Sequence, residues 1–265
     1  MKTLKTVGLA VLMTIGVAGG ASAEIFPGSY DFSGTQYADD FTDVRRGAQI
    51  NVGYDRGKTG RMALNFTGRA GTAGDTWLTK WTPGGSPAVL NGECGTFVAS
   101  EVLIHPFDNR KGAGLVALLN DANPGDKGLA LILYDSGNSD VLQLATIDPF
   151  TGRLSALATM PFFLRPIKEN TWYLLAMSAK VEEDWFNDTL TLDAKGFVYS
   201  MQDPEDPLSE IEFISGVHFR GPITPTGLQA QGQVGIIASA INAVVDSSVT
   251  EWLAGQGDEG PCEPD

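Results

Sequence analysis

Residues 114–181 read GLVALLNDANPGDKGLALILYDSGNSDVLQLATIDPFTGRLSALATMPFFLRPIKENTWYLLAMSAKV, and the punctuation of this stretch decides the fold. Apolar runs of five to eight residues are cut by turn clusters: NPGD at 123–126, DSGN at 135–138, DPFTG at 148–152 and KEN at 168–170. Short runs bounded by Asn, Asp, Pro and Gly are the signature of strands joined by turns. No helical period intervenes, so the succession predicts an all-β antiparallel sandwich or barrel.

The flanking sequence has the same character. Residues 46–54 and 61–67 read as two strands around the charged turn DRGKTG at 55–60. Residues 75–82 alternate, with Trp77, Thr79 and Trp81 on one face and Leu78 and Lys80 on the other. An acidic loop, EEDWFND, occupies 182–188, and two prolines keep 203–207 irregular. Residues 233–240 and 243–252 close the body as strands. No tandem repeat or linker divides the 265 residues, a length that one β-sandwich domain can use.

The N-terminus has a separate meaning. Lys2 and Lys5 form a charged start, residues 7–17 an apolar stretch, and Ala21-Ser22-Ala23 a small-residue cleavage motif. This is the pattern of a secretory signal peptide cut after Ala23. The apolar run is far short of the ~20 residues that span a bilayer, so no membrane insertion is expected. The expected organisation is a signal peptide at 1–23, a lead-in at 24–38, the sandwich at 39–255 and a tail at 256–265. The expected location is secreted or periplasmic.

The formal net charge is −14, and removal of Lys2 and Lys5 with the leader makes it −16. Such an excess argues against nucleic acid or an anionic membrane as partner. Its carboxylates serve either as a solvated surface or as ligands for Ca²⁺. The two cysteines, Cys94 and Cys262, read as a disulfide in an oxidising compartment, with two free thiols or a link to a partner as the competing reading. Joined, they close a loop of about 170 residues, worth roughly 4–5 kcal/mol on a chain-entropy account, and tie the tail to the body.

The order of segments resembles the concanavalin A-like lectin/glucanase jelly roll, laminin-G-like modules included. It is carried by Asp39-Asp40-Phe41, GLVALLN at 114–120, VLQLATID at 141–148, TGRL at 151–154, NTWYL at 170–174, GQVGII at 232–237 and VDSSV at 245–249. The resemblance implies a two-sheet antiparallel jelly-roll sandwich with one concave sheet, and carbohydrate on that face or at the loop rim. It also implies a structural Ca²⁺, for which Asp40 at the start of the body and Asp246 in the last strand are the candidates. The same fold serves hydrolases, lectins and structural modules, so function must come from the site.

Glycoside hydrolysis needs two carboxylates about 5–9 Å apart. The glucanases of the resembled family carry Glu-x-Asp-x-Glu on a central strand. Here Glu210-x-Glu212 is followed by Ile214, and the 182–188 cluster has Asn187 at its end. There is no Gly-x-Ser-x-Gly elbow, and neither His105 nor His218 has a second histidine at zinc-ligand spacing. No catalytic residue is therefore assigned. The turn clusters Asp121/Asn123/Asp126 and Asp135/Asn138/Asp140 lack the spacing of a calcium loop and read first as turns.

Sugar recognition uses aromatics that stack on the apolar faces of sugar rings. Trp185, in the acidic loop, is the first candidate. Trp77 and Trp81 share a face and are either a second platform or core. The leading expectation is a secreted, non-catalytic module that binds carbohydrate or a cell-surface partner. A glycoside hydrolase of the same fold and a purely structural envelope or matrix protein are the alternatives. The reading of the leader predicts that the secreted protein begins at Glu24; N-terminal sequencing or intact mass checks this, and a first residue other than Glu24 refutes the cleavage site.

Overall fold

The structure is a computed structural model that describes residues 23–24, 40–45, 50–55, 63–69, 75–104, 111–135, 140–162, 167–168, 171–184, 189–201, 211–240 and 244–257. Among these residues every regular element is a strand or a single 3-10 turn. No helix there is long and apolar enough to cross a membrane.

The strands are β1 (Ala23–Glu24), β2 (Phe41–Arg45), β3 (Ile50–Asp55), β4 (Ala63–Arg69), β5 (Asp75–Trp81), β6 (Val89–Asn91), β7 (Thr96–Ile104) and β8 (Lys111–Leu119). They continue with β9 (Gly128–Asp135), β10 (Asp140–Ile147), β11 (Leu154–Pro161), β12 (Trp172–Asp184), β13 (Thr189–Met201), β14 (Ile211–Pro222), β15 (Gln231–Ala240) and β16 (Val244–Gly257). They form two antiparallel sheets. The first runs β14-β13-β12-β7-β16-β4-β3, with β1 against the end of β16. The second runs β11-β10-β9-β8-β15-β5-β2, with β6 against β15. The sandwich expected from residues 114–181 is present, and strands β8 to β11 form half of one sheet in consecutive order.

Two separate apolar layers explain why β8 and β9 read as continuous apolar runs. Leu115, Leu131 and Leu144 face the other sheet and meet Leu175, Val198 and Trp252 in the main core. Val116, Ile132, Ile147, Leu78 and Ile237 point to the outer side of the second sheet, yet are also buried. A strand covered on both faces has no reason to alternate.

The outer side is covered because the second sheet curls. The β10–β11 turn reaches β5 and β2, where Thr76 Oγ1 donates to Gly152 O (3.0 Å) and Arg45 donates to Phe150 O (2.6 Å). In strand order β10 and β5 are four steps apart, about 19 Å across a flat sheet. Glycine permits the curvature at two neighbouring strands. A Cβ on Gly114 would lie 1.9 Å from the Leu131 carbonyl oxygen, and one on Gly235 would lie 1.9 Å from that of Thr79.

Asp148 holds the turn itself. Its carboxylate accepts from the backbone N–H of Phe150 (2.9 Å) and Thr151 (3.0 Å) and from the Lys127 amine (2.9 Å). Burial works against the charge, but the Lys127 amine and these N–H groups outweigh it and hold the carboxyl at about 2, below its ordinary 3.8. A depressed folded pKa gives stability that is complete above the unfolded value and lost as pH falls through the folded one. Asp148→Asn should therefore cost about 1–2 kcal/mol at neutral pH. The gap between variant and parent should close between about pH 4 and pH 2 in denaturant titrations; a gap constant down to pH 2 would refute the assignment.

Candidate functional site

The two tryptophans shared by one face of β5 belong to the core, which corrects the reading of them as a sugar platform. Trp77 is 2% exposed, packs on Phe66 (ring centroids 4.3 Å) and donates its indole N–H to Asp43 (2.8 Å). Trp81 is 4% exposed and lies 6.4 Å from Trp252, against whose ring Phe41 stands edge-on at 5.3 Å. The physical reason is position. The Trp77-Thr79-Trp81 face of β5 points at the other sheet, where large rings fill the gap between layers. Trp185 lies outside the described residues.

The metal pair is also corrected, because the terminal strands are not neighbours. Asp40 leads into β2 of the second sheet, whereas Asp246 is in β16 of the first, opposite Thr67. Phe41 touches Trp252, which is six residues along β16 from Asp246, or roughly 20 Å. Asp40 instead closes a turn: its backbone oxygen accepts from Thr82 N (2.6 Å) and its carboxylate from Gly84 N (3.3 Å). Asp121 pairs with Lys80 (2.8 Å), and Asp126 accepts from Asn123 N (2.7 Å) and Gln229 (3.1 Å). Asp140 accepts from Ile167 N (2.7 Å). Among the described residues no group of three or more His, Cys, Asp or Glu side chains is placed to hold a metal ion. Cys94 is buried in the 3-10 turn Gly92–Cys94, and Cys262 lies outside the described residues.

The outer face of the first sheet carries a different constellation. Strand pairing sets out rows across β7, β12, β13 and β14. One row is Ala99, Ala176, Phe197 and Gly216; the next on one side is Glu101, Leu174, Tyr199 and Phe213. Of these, Ala99, Leu174, Ala176, Phe197 and Tyr199 form an apolar strip with Leu253 and Phe97 on the outside of the sandwich, and the carboxylate of Glu101 is buried beside it. Phe213 is 53% exposed and meets Tyr199 edge-on at 5.6 Å. Burial pushes the Tyr199 hydroxyl above its ordinary range, so it stays a neutral donor. Phe197 leans across to β14, where a Cβ on Gly216 would meet its ring at 3.1 Å. The absence of a side chain at 216 leaves room for that ring to lie over the sheet.

On the other side of Phe197 the rows become charged. Phe97, Ser178, Lys195 and His218 form one row, and Lys180, Asp193 and Arg220 the next. Asp193 lies 2.9 Å from His218 and 3.8 Å from Arg220, and Arg220 also reaches Glu182 at 3.1 Å. An open sheet face with aromatic rings beside forked hydrogen-bonding groups can hold a flat ligand with an apolar face and a polar edge.

Comparison with known proteins gives the fold. No protein-family model matches the chain, and no curated protein matches it by sequence. Among solved structures it is similar to a Bacillus subtilis protein of unknown function with a galectin-like fold. The identity is 9% and the TM-score 0.53, over 90% of this chain and 99% of that one. The likeness shows the fold alone, a two-sheet antiparallel β-sandwich. It is also similar to the xylan β-1,4-xylosidase of Bacillus halodurans C-125, at 11% identity and a TM-score of 0.51. That match covers 90% of this chain but spans only 41% of the xylosidase. The carbohydrate-binding module CBM66 of Bacillus subtilis aligns over 82% of this chain and 96% of its own, at 13% identity and a TM-score of 0.46.

Sequence reasoning did not find Phe197, Tyr199, Phe213, Lys195 or Arg220. The signal was present in β13, where Asp193, Lys195, Phe197 and Tyr199 recur at period two. Because Trp77 is core, Trp77→Ala should cost about 3–5 kcal/mol in denaturant unfolding. A cost under about 1 kcal/mol would place that ring outside the core.

Proposed function

We propose that this protein is a secreted, non-catalytic carbohydrate-binding β-sandwich whose site is the outer face of the first sheet. The observation that carries the reading is the pair Phe197 and Phe213, partly exposed on an open sheet over the buried Tyr199 and bordered by Asp193, His218, Arg220 and Glu182. A sugar ring has an apolar face for the aromatics and hydroxyls for the polar row, and this pairing of surfaces matches both. The galectin-like fold is consistent with such a role and does not by itself require it.

The geometry favours binding over hydrolysis. Glu182 and Asp193 both pair with Arg220 on the sheet surface, rather than facing each other across a groove. The curled outer side of the second sheet, the side a concave sheet would offer to a ligand, is filled by Leu78, Val116, Ile132 and Ile237 under the 148–152 turn. Trp185, the next residue in sequence after β12, is kept as a proposed ligand contact.

The proposal includes the Cys94–Cys262 link. Register places Gln256 opposite Thr96, and the Gln256 side chain accepts from Asn91 N (2.8 Å). Strand β16 thus ends beside Cys94, and the five residues from Gly257 to Cys262 reach at most about 17 Å.

Thermal unfolding with pooled polysaccharides tests the function. A ligand at 100 times its Kd adds about 2.7 kcal/mol, a readable shift in midpoint. Phe213→Ala and Phe197→Ala should abolish that shift while leaving the unliganded midpoint within a few degrees. A shift that survives both substitutions would move the site elsewhere, and no shift with any pool would refute carbohydrate binding.

A further inference from the structure

The charges at this site are ordered by depth. Asp193 is 18% exposed and Glu182 39%, whereas the basic side chains around them stand higher, from Lys180 at 42% to Arg220 at 60%. Two carboxylates serve four basic side chains. Asp193 alone is shared by His218 (2.9 Å), Arg220 (3.8 Å) and Lys195 (4.0 Å), and Glu182 by Arg220 (3.1 Å) and Lys180 (3.8 Å). An ammonium has three N–H donors and a guanidinium five, so Lys195 and Arg220, about half exposed or more, keep donors turned to solvent. Within this pairing Lys180, Lys195 and Arg220 stand over the carboxylates of Asp193 and Glu182, in a chain whose net charge is −14. A local reversal of sign on an acidic protein attracts an anion within about a Debye length, ~10 Å.

Spacing ties this patch to the aromatic strip. Lys195 and His218 are one row from Phe197, about 7 Å along the strands, and Arg220 is one row further. A ring resting on Phe197 therefore sets its edge beside Lys195 and His218, which stand higher than Asp193 beneath them. A hydroxyl there would make an ordinary hydrogen bond, whereas a carboxylate would make charge-assisted bonds about twice as strong.

Resting on the carbohydrate-binding reading, we infer that the ligand is an acidic polysaccharide. Its uronic-acid carboxylate is held by Lys195, His218 and Arg220 above Asp193, and the apolar face of its ring lies on Phe197 and Phe213. Specificity comes from the cations and contact area from the rings.

The test is calorimetric titration of the mature protein with polygalacturonate, alginate and hyaluronate, each beside its methyl-esterified form, which keeps the ring and removes the charge. At least one acid form should bind about tenfold or more tightly than its ester. That advantage should shrink from about 50 to about 500 mM salt. It should vanish in the double variant Lys195→Gln, Arg220→Gln, with the unfolding midpoint unchanged. Phe197→Ala should weaken acid and ester alike. Equal binding of acid and ester, or an advantage that survives the double variant, would overturn the inference and leave carbohydrate binding standing. Failure of every polymer in both forms would overturn the inference and leave carbohydrate binding to the pooled-polysaccharide test.

Discussion

Large rings packed between the two sheets constrain the rest of the molecule. Phe66 on Trp77, and Phe41 and Trp81 around Trp252, bring β2 and β5 of one sheet against β4 and β16 of the other. Aromatic side chains bury 150–250 Å² each, so this layer outweighs any single surface interaction. It also sets which face of each strand is inside. Once Trp77 and Trp81 point inward, Leu78 and Lys80 must point out, and the second sheet needs a further cover for its outer apolar residues.

That cover comes from curvature. Glycines at 114 and 235 allow neighbouring strands to close on each other, and the turn held by Asp148 swings back to hydrogen-bond Thr76 and Arg45. The side of the second sheet that could have offered a concave ligand face is thereby filled. Among the described residues the first sheet has no equivalent closure over β13 and β14, and Phe213, His218 and Arg220 on its outer face are exposed. Fold and site are linked in this way: curling one sheet consumes its apolar outer residues, and the other presents aromatic and charged rows.

Within the site, two energies divide the work. The rings of Phe197 and Phe213 offer area that is indifferent to salt, whereas the ion pairs around Asp193 are exposed and worth about 0–1 kcal/mol each to stability. Groups that contribute little to the fold are free to exchange partners with a ligand. Carbohydrate surfaces, part apolar and part hydroxylated or charged, suit that division.

The strands from 114 to 181 were legible in the sequence, because Asn, Asp, Pro and Gly at 123–126, 148–152 and their like stop a strand by local backbone chemistry. An all-β sandwich or barrel followed from the number and apolarity of those runs, and two sheets from the resemblance in segment order. The use of Trp77 and Trp81 did not, since alternation tells which residues share a face but not which face meets the core. Asp40 and Asp246 failed as a pair for a related reason: which strands become neighbours is decided by long-range pairing, here β2 with β5 and β16 with β7 and β4. The site residues on β12, β13 and β14 are far apart in sequence, and each looks like an ordinary exposed strand position by itself. Local sequence determined where the chain turns, what is apolar and how charged the surface is. Only the tertiary structure decided which apolar face lies inside, and so which rings and cations meet on the outside.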